Sequence, residues 1–205
     1  MTNKQSLKIS ITAMFAAIIS VSGFVKIPIG PVPVVLQNVV CLLCAVLTGG
    51  IFAATPVALF LTAGLLGLPV FSGGTGGIGV FAGPTGGFLA GYFLGAFAAG
   101  LIAGKPDIRE RKISASLVIR LSLAMLAGLV VMYIPGVIHF SSWALRLSKI
   151  PEGKTAFSYA IGACVIPFIP GDIIKCFVAI CVALKVRPVI ASYLYSGNTG
   201  DDKNQ

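Results

Sequence analysis

The chain has 205 residues, of which 57% are hydrophobic and only 10% charged, with a formal net charge of +9 and a mean hydropathy of +0.99. Soluble domains carry about 25% charged residues, so this composition excludes an ordinary soluble fold and points to a chain surrounded by lipid. The positive charge does not indicate nucleic acid: the basic residues form short segments beside apolar runs, as the positive-inside rule describes, and do not cover one soluble face.

In chain order, the first apolar run covers residues 7–25 and follows Lys4 and Lys8. Small residues at Val21 and Gly23 imitate a signal-peptidase site, but the orientation argued below requires this helix, so it is expected to be retained. Then come 78 consecutive residues (27 to 104) without Asp, Glu, Lys or Arg. One crossing needs about 20 apolar residues, so several spans must lie in that run. Lipid offers no hydrogen bonds to the backbone, and the runs lack the two-residue alternation of a barrel, so the spans are expected to be helices.

Six spans are predicted: 7–25, 34–48, 51–68, 86–104, 114–135 and 171–190. Gly49-Gly50 divides the second from the third, which together are too long for one crossing. With the amino terminus inside, four crossings return the basic loop Lys105–Lys112 to the inside. Nine basic residues then lie inside (Lys4, Lys8, Lys105, Arg109, Arg111, Lys112, Lys185, Arg187, Lys203) and four outside (Lys26, Arg146, Lys149, Lys154). Arg120, about two turns into the fifth span, is expected to snorkel inward.

Three outer segments are too apolar to be solvated connectors. Ile27–Val35 contains three prolines and is expected to be stiff and extended, Leu68–Gly87 is rich in glycine, and Gly136–Pro170 includes an apolar stretch, Ala156–Phe168, too short to span. Irregular uncharged backbone at membrane depth is tolerated where it is buried in protein or lines a cavity, so these segments are expected to cap an outward-facing pocket. The expectation is an all-α integral membrane protein of six transmembrane helices, both termini cytoplasmic. It forms one membrane domain over residues 1–205, with 193–205 as a flexible cytoplasmic tail.

Several motifs carry no chemistry. Gly74-Thr75-Gly76-Gly77-Ile78-Gly79 matches a dinucleotide fingerprint formally, but its flanks are membrane spans and no βαβ unit surrounds it. No G-x-x-x-x-G-K-[ST] occurs, so any ATP hydrolysis must lie on another chain. Cys41 and Cys44 form a Cys-x-x-Cys within an apolar helix, far in sequence from the sole histidine, His139, and read as packing residues; no metal site is expected. Gly87, Gly91 and Gly95 recur every four residues and prepare one face for close helix approach, while Ala13 and Ala17 form a smaller such pair on the first helix.

The segment Phe168-Ile169-Pro170-Gly171-Asp172-Ile173-Ile174-Lys175 holds the most informative charges. A charge near the bilayer centre costs at least about 2.5–3.5 kcal/mol. Asp172 in the first turn of a helix is favoured by the dipole, and it can pair with Lys175 across one turn. Lys175 opposes the same dipole, and its place is better explained by an anionic ligand. The pair would serve a small molecule bearing a carboxylate, for Lys175, and N–H donors, for Asp172.

Gly30-Pro31-Val32-Pro33 with Leu36-Gln37, Phe81-Ala82-Gly83-Pro84-Thr85-Gly86-Gly87, and Pro170-Gly171-Asp172 with Lys175 together resemble the BioY family, the biotin-binding S components of energy-coupling-factor transporters. The resemblance spans most of the chain in order. It implies a multi-pass subunit of the bacterial cell membrane that binds biotin in an outward-facing pocket, needs no cofactor and is not an enzyme. It further implies that Ala13 and Ala17 dock a transmembrane coupling subunit joined to two ATPases, and that Gln37, Thr85, Gly86, Tyr92, Asp172 and Lys175 contribute to the biotin site. The chain departs from the family at Val35, where Thr is common, and at Phe88, where Tyr is common; Tyr92, one turn on, is the expected substitute hydroxyl. An ion-coupled secondary transporter of a small carboxylate-bearing vitamin is the alternative, although the chain shows neither repeated halves nor a second buried acid.

Overall fold

The computed structural model describes residues 3–28 and 31–194. Helix α1 (Asn3–Ser22) leads into a two-stranded antiparallel ribbon, β1 (Lys26–Ile27) paired with β2 (Val34–Val35), with Lys26 opposite Val35. Among the described residues, the proline-bearing segment is extended at its two ends, which pair with each other, whereas Pro31 and Val32 turn; the expectation of an extended segment holds only at those ends. Helix α2 (Gln37–Thr48) ends at Gly49 and a 3-10 turn, Gly50–Ala54, passes into α3 (Thr55–Leu65). Gly49 and Gly50 both take positive φ, 64° and 62°, and a Cβ on Gly49 would overlap the carbonyl of Gly104; the turn needs glycine for conformation and for close approach. A glycine-rich loop and the one-turn α4 (Gly79–Ala82) precede α5 (Gly86–Ala103), α6 (Ala115–Arg146), α7 (Ala156–Cys164) and α8 (Ile169–Leu194).

By length and composition, Gln5–Ser22, Gly86–Ala103 and Ala115–Arg146 can each cross a membrane, and Ala156–Cys164 with Ile169–Tyr193 forms a further apolar pair bent by 48°. The second and third predicted spans are shorter apolar helices, Gln37–Thr48 and Gly50–Leu65.

The fifth span corrects the sequence reading. The span was expected to end at Pro135, yet the helix continues through it for another three turns to Arg146. Proline removes one helical hydrogen bond, and in an apolar surround no water competes for the bonds that remain. The added turns are anchored by Val137, Phe140 and Ala144, which pack on Ala160, Cys164 and Phe168. Helix α7 occupies the apolar stretch judged too short to span, with the Thr155 hydroxyl capping its N-terminus by accepting from Ser158 N at 3.2 Å. Of the expected tail, Tyr193 and Leu194 belong to α8, and residues 195–205 lie outside the described residues.

The main core joins α1, α2, α3, α5, α6 and α8 through buried residues that include Ile19, Leu42, Phe60, Ala96, Leu121 and Ala183. Its tightest seam is α5 on α6. A Cβ on Gly87, Gly91 or Gly95 would run into the carbonyl oxygens of Pro135, Met132 and Gly128, so the four-residue glycine repeat is the face on which α6 lies backbone to backbone.

At one end of the bundle Arg187, fully buried, gathers two helix ends and the 105–112 loop. Its guanidinium donates to Glu110 Oε2 at 2.7 Å and Oε1 at 3.0 Å, to Val46 O near the end of α2, and to Ala103 O and Gly104 O, each at 3.2 Å, at the end of α5. A cation at helix C-termini complements their dipoles while satisfying orphan carbonyls. Arg120 Nη2 also reaches Glu110 Oε1 at 2.6 Å. The basic 105–112 loop is therefore held to α8 from within.

Candidate functional site

The other end of the bundle holds a cavity of about 320 Å³. Small-molecule sites occupy roughly 300–1,000 Å³, so the volume is that of a compact ligand. Its walls come from all the irregular segments singled out in the sequence. Val32, Pro33 and Val35 belong to the ribbon, Phe71, Ser72 and Thr75 to the glycine-rich loop, and Gly83, Pro84 and Thr85 to the turn before α5. Phe88, Leu89 and Tyr92 on α5, Met132 and Tyr133 on α6, and Phe168 before α8 complete an apolar and aromatic lining.

Polar groups concentrate on one wall. Asp172, 1% exposed, sits in the first turn of α8, where Pro170 and Gly171 open the helix and the dipole favours a carboxylate. It does not line the cavity itself. Its Oδ1 accepts from Asn38 Nδ2 at 3.0 Å and its Oδ2 from the Tyr133 hydroxyl at 2.6 Å, and both of those residues do line the cavity. Lys175 Nζ lies 2.5 Å from Asp172 Oδ1 and donates to Asn38 Oδ1 and Val35 O, each at 3.0 Å. The cation, the anion and the amide form a closed ring that orients Asn38: carboxylate on its nitrogen, ammonium on its oxygen.

That ring has free valences. Asn38 keeps one N–H and one lone pair, and the Tyr133 oxygen, having donated its proton to Asp172, keeps its acceptor capacity. The wall can therefore accept from N–H donors and donate to a carbonyl at neighbouring points. The ring of Phe88 meets Tyr133 edge-on, with centroids 6.1 Å apart, and fixes its position.

The other expected residues fall as follows. Gln37, 1% exposed, lines the cavity and uses both amide protons on backbone, donating to Ile19 O at 3.0 Å and Val70 O at 2.9 Å; its Oε1 is buried without a partner. Thr85 and Tyr92 line the cavity. Gly86 does not; a Cβ there would overlap the Phe81 carbonyl, so its part is to let the chain turn from α4 into α5. His139 Nε2 lies 2.9 Å from Gly83 O and ties that turn to α6. Ala13 and Ala17 are far along α1 and exposed on one face with Met14 and Ile18.

Sequence reasoning missed Asn38, Tyr133, Ser72 and Lys26 as wall residues. An available signal for Asn38 was its polar amide beside Gln37 in an apolar span. Tyr133 had none, since nothing local distinguishes it from the other tyrosines.

Known proteins match the chain over most of its length. The profile of the BioY family matches residues 1–192. The chain is 37% identical over 178 residues to the biotin transporter BioY of Rhodobacter capsulatus, covering 85% of this chain and 90% of that one. It is 35% identical over 174 residues to the biotin transporter BioY of Thermotoga maritima, covering 85% and 92%. Among solved structures it is similar to the crystal structure of the S-component for biotin from an ECF-type ABC transporter, with a TM-score of 0.72 and 31% identity over 91% of this chain and 94% of that one. By sequence and by fold, then, the chain belongs to the BioY family.

Proposed function

We propose that this chain is the biotin-binding, membrane-translocating subunit of an uptake transporter whose ATPases reside on other chains. The observation that carries the reading is the polar wall: Asn38 and Tyr133, locked by Asp172 and Lys175, present acceptors and a donor at one side of an otherwise apolar cavity. A ureido group offers two N–H donors flanking a carbonyl, the complement of that wall, and a sulfur-containing bicycle with an alkyl chain would fill the aromatic remainder. Gln37 Oε1, the Thr85 hydroxyl and Tyr92 are further polar contacts, and Gly86 shapes the turn that carries Thr85. Asp172 and Lys175 act from behind the wall. Biotin is cargo here, and the reading calls for neither a cofactor nor an enzymatic step.

Six crossings with both termini cytoplasmic remain the preferred topology, in one membrane domain. Three helices support it by running in the same sense from the cavity to the Arg187 cluster: α2 from Asn38 to Val46, α5 from Thr85 to Ala103, and α8 from Asp172 to Arg187. Fifteen residues of helix separate Asp172 from Arg187, about 22 Å at 1.5 Å per residue. Helix α6 runs back from Arg120 to Tyr133, and α1 and α3 are the returns that the connectivity requires. The cavity then lies away from the basic 105–112 loop, which the charge bias puts in the cytoplasm of a bacterial cell, and opens outward. The exposed Ala13–Ala17 face of α1 would dock a transmembrane coupling subunit, since small residues let another helix approach closely, and the apolar exposed side chains around it would meet lipid.

Isothermal calorimetry of the purified chain with biotin tests the proposal, together with mass spectrometry of any ligand released on denaturation. Stoichiometric biotin binding supports it; no affinity for biotin in the folded chain refutes it. Uptake that survives ATP depletion and collapses with an uncoupler would favour ion coupling instead.

A further inference from the structure

We propose that Lys26, with the hydroxyl of Ser72, forms the subsite for the ligand's carboxylate, and that Lys175 does not. The inference rests on the biotin reading and assigns the opposite polar end of the ligand.

Charge is the first argument. Lys175 is already neutralised by Asp172 at 2.5 Å, spends its protons on Val35 O and Asn38 Oδ1, and is not among the cavity-lining residues. Of the described residues that do line the cavity, Lys26 alone is charged. Its backbone pairs with Val35, but its ammonium, on an exposed residue, makes no hydrogen bond or ion pair among the described residues. A carboxylate moved from water into an apolar chamber needs a cation, and this one is uncommitted.

Placement is the second. Lys26 leaves β1 opposite Val35, and its ammonium lies against Gly73, whose missing side chain, at φ 73°, makes the room. Gly73 N donates to Gly23 O at 3.0 Å, tying the glycine-rich loop to the segment that carries Lys26. The neighbouring Ser72 also lines the cavity, and its Oγ is buried without a partner. A buried, unpartnered hydroxyl in the loop that the exposed Lys26 ammonium lies against is what a carboxylate, with about four acceptor positions, would join. The ligand would then bridge the loop and the ribbon, two of the segments that wall the cavity.

The test compares biotin with its neutral primary amide, biotinamide, by calorimetry on folded wild type, Lys26→Met, Lys26→Arg and Lys175→Met. Wild type is expected to prefer biotin by roughly tenfold to a hundredfold, the range for one charged hydrogen bond. Lys26→Met should lose that preference while holding biotinamide as wild type does; Lys26→Arg should keep it. Lys175→Met should weaken both ligands alike, because it acts through Asn38 and Asp172. Gly73→Ala, which would displace the Lys26 ammonium, should reproduce the Lys26→Met pattern. The proposal is overturned if Lys26→Met retains the wild-type preference or weakens both ligands equally, or if Lys175→Met alone abolishes the preference. Wild type that binds neither ligand refutes the biotin reading itself, a result distinct from these.

Discussion

Glu110 and Arg120 are partners in one ion pair, yet removing them should have very different consequences. Glu110→Ala leaves Arg187 charged at zero exposure with only the carbonyls of Val46, Ala103 and Gly104 around it. Stranding one member of a buried pair costs about 3–5 kcal/mol, and because three carbonyls stay in place the lower end, about 3 kcal/mol, applies. Arg120→Ala removes a side chain that is 44% exposed and leaves Glu110 bound to Arg187 at 2.7 Å, a loss of at most about 1 kcal/mol. At about 2–4 °C per kcal/mol for a chain of this size, thermal melting in detergent should show a drop of roughly 6–12 °C for Glu110→Ala and no more than about 4 °C for Arg120→Ala. Adding Arg187→Met to Glu110→Ala removes the stranded charge, so the double variant should melt no lower than Glu110→Ala alone. Equal drops for the two single variants, or a double variant that loses the sum of its parts, would refute the account of Arg187 as a buried, compensated staple.

Other substitutions probe the seam and the site. Gly91→Val drives a side chain into the Met132 carbonyl, and overpacking of this kind should destabilise the fold by at least about 1–3 kcal/mol, read by the same melting assay. Gly64→Ala pushes on the Phe71 ring, which is held edge-on by Phe60 and Phe81 with centroids 5.4 Å and 5.8 Å away and which lines the cavity; biotin affinity should fall along with melting temperature. Tyr133→Phe keeps the ring packing on Phe88 but deletes the 2.6 Å bond to Asp172, and calorimetry should show biotin weakened roughly tenfold, while an unchanged Kd would remove Tyr133 from the polar wall. Lys175→Ala frees Asn38 Oδ1 and leaves Asp172 without its cation, so binding should weaken by roughly 1.5–3 kcal/mol in the folded protein.

What the sequence determined by itself were properties that each segment carries alone. Transfer into lipid depends on a segment's own residues, so the helical class, the membrane setting and the rough placement of most helices followed from apolar runs and flanking charges. The three stiff or glycine-rich connectors marked the end at which the cavity lies, and the Asp172–Lys175 spacing marked the helix behind its polar wall. Local composition also misled once: Pro135 read as an end, whereas packing of Val137, Phe140 and Ala144 against α7 carries the helix eleven residues further.

Tertiary structure decided everything that depends on pairs distant in the chain. Asn38 and Asp172 meet across 134 positions, and Arg187 and Glu110 across 77. The glycine repeat announced a close helix contact without naming α6 as the partner, and nothing local told Arg187, a fully buried staple, from the surface cations counted beside it. By sequence, Asp172 and Lys175, three residues apart on α8, had only apolar neighbours in view. In the folded chain they hold the amide of one helix and the hydroxyl of another, both of which line the cavity, and Lys26, which by sequence was an outer-segment charge, lines it too. The reason is that a buried charge is controlled by the groups within a few ångströms of it, and in a bundle most of those come from other helices.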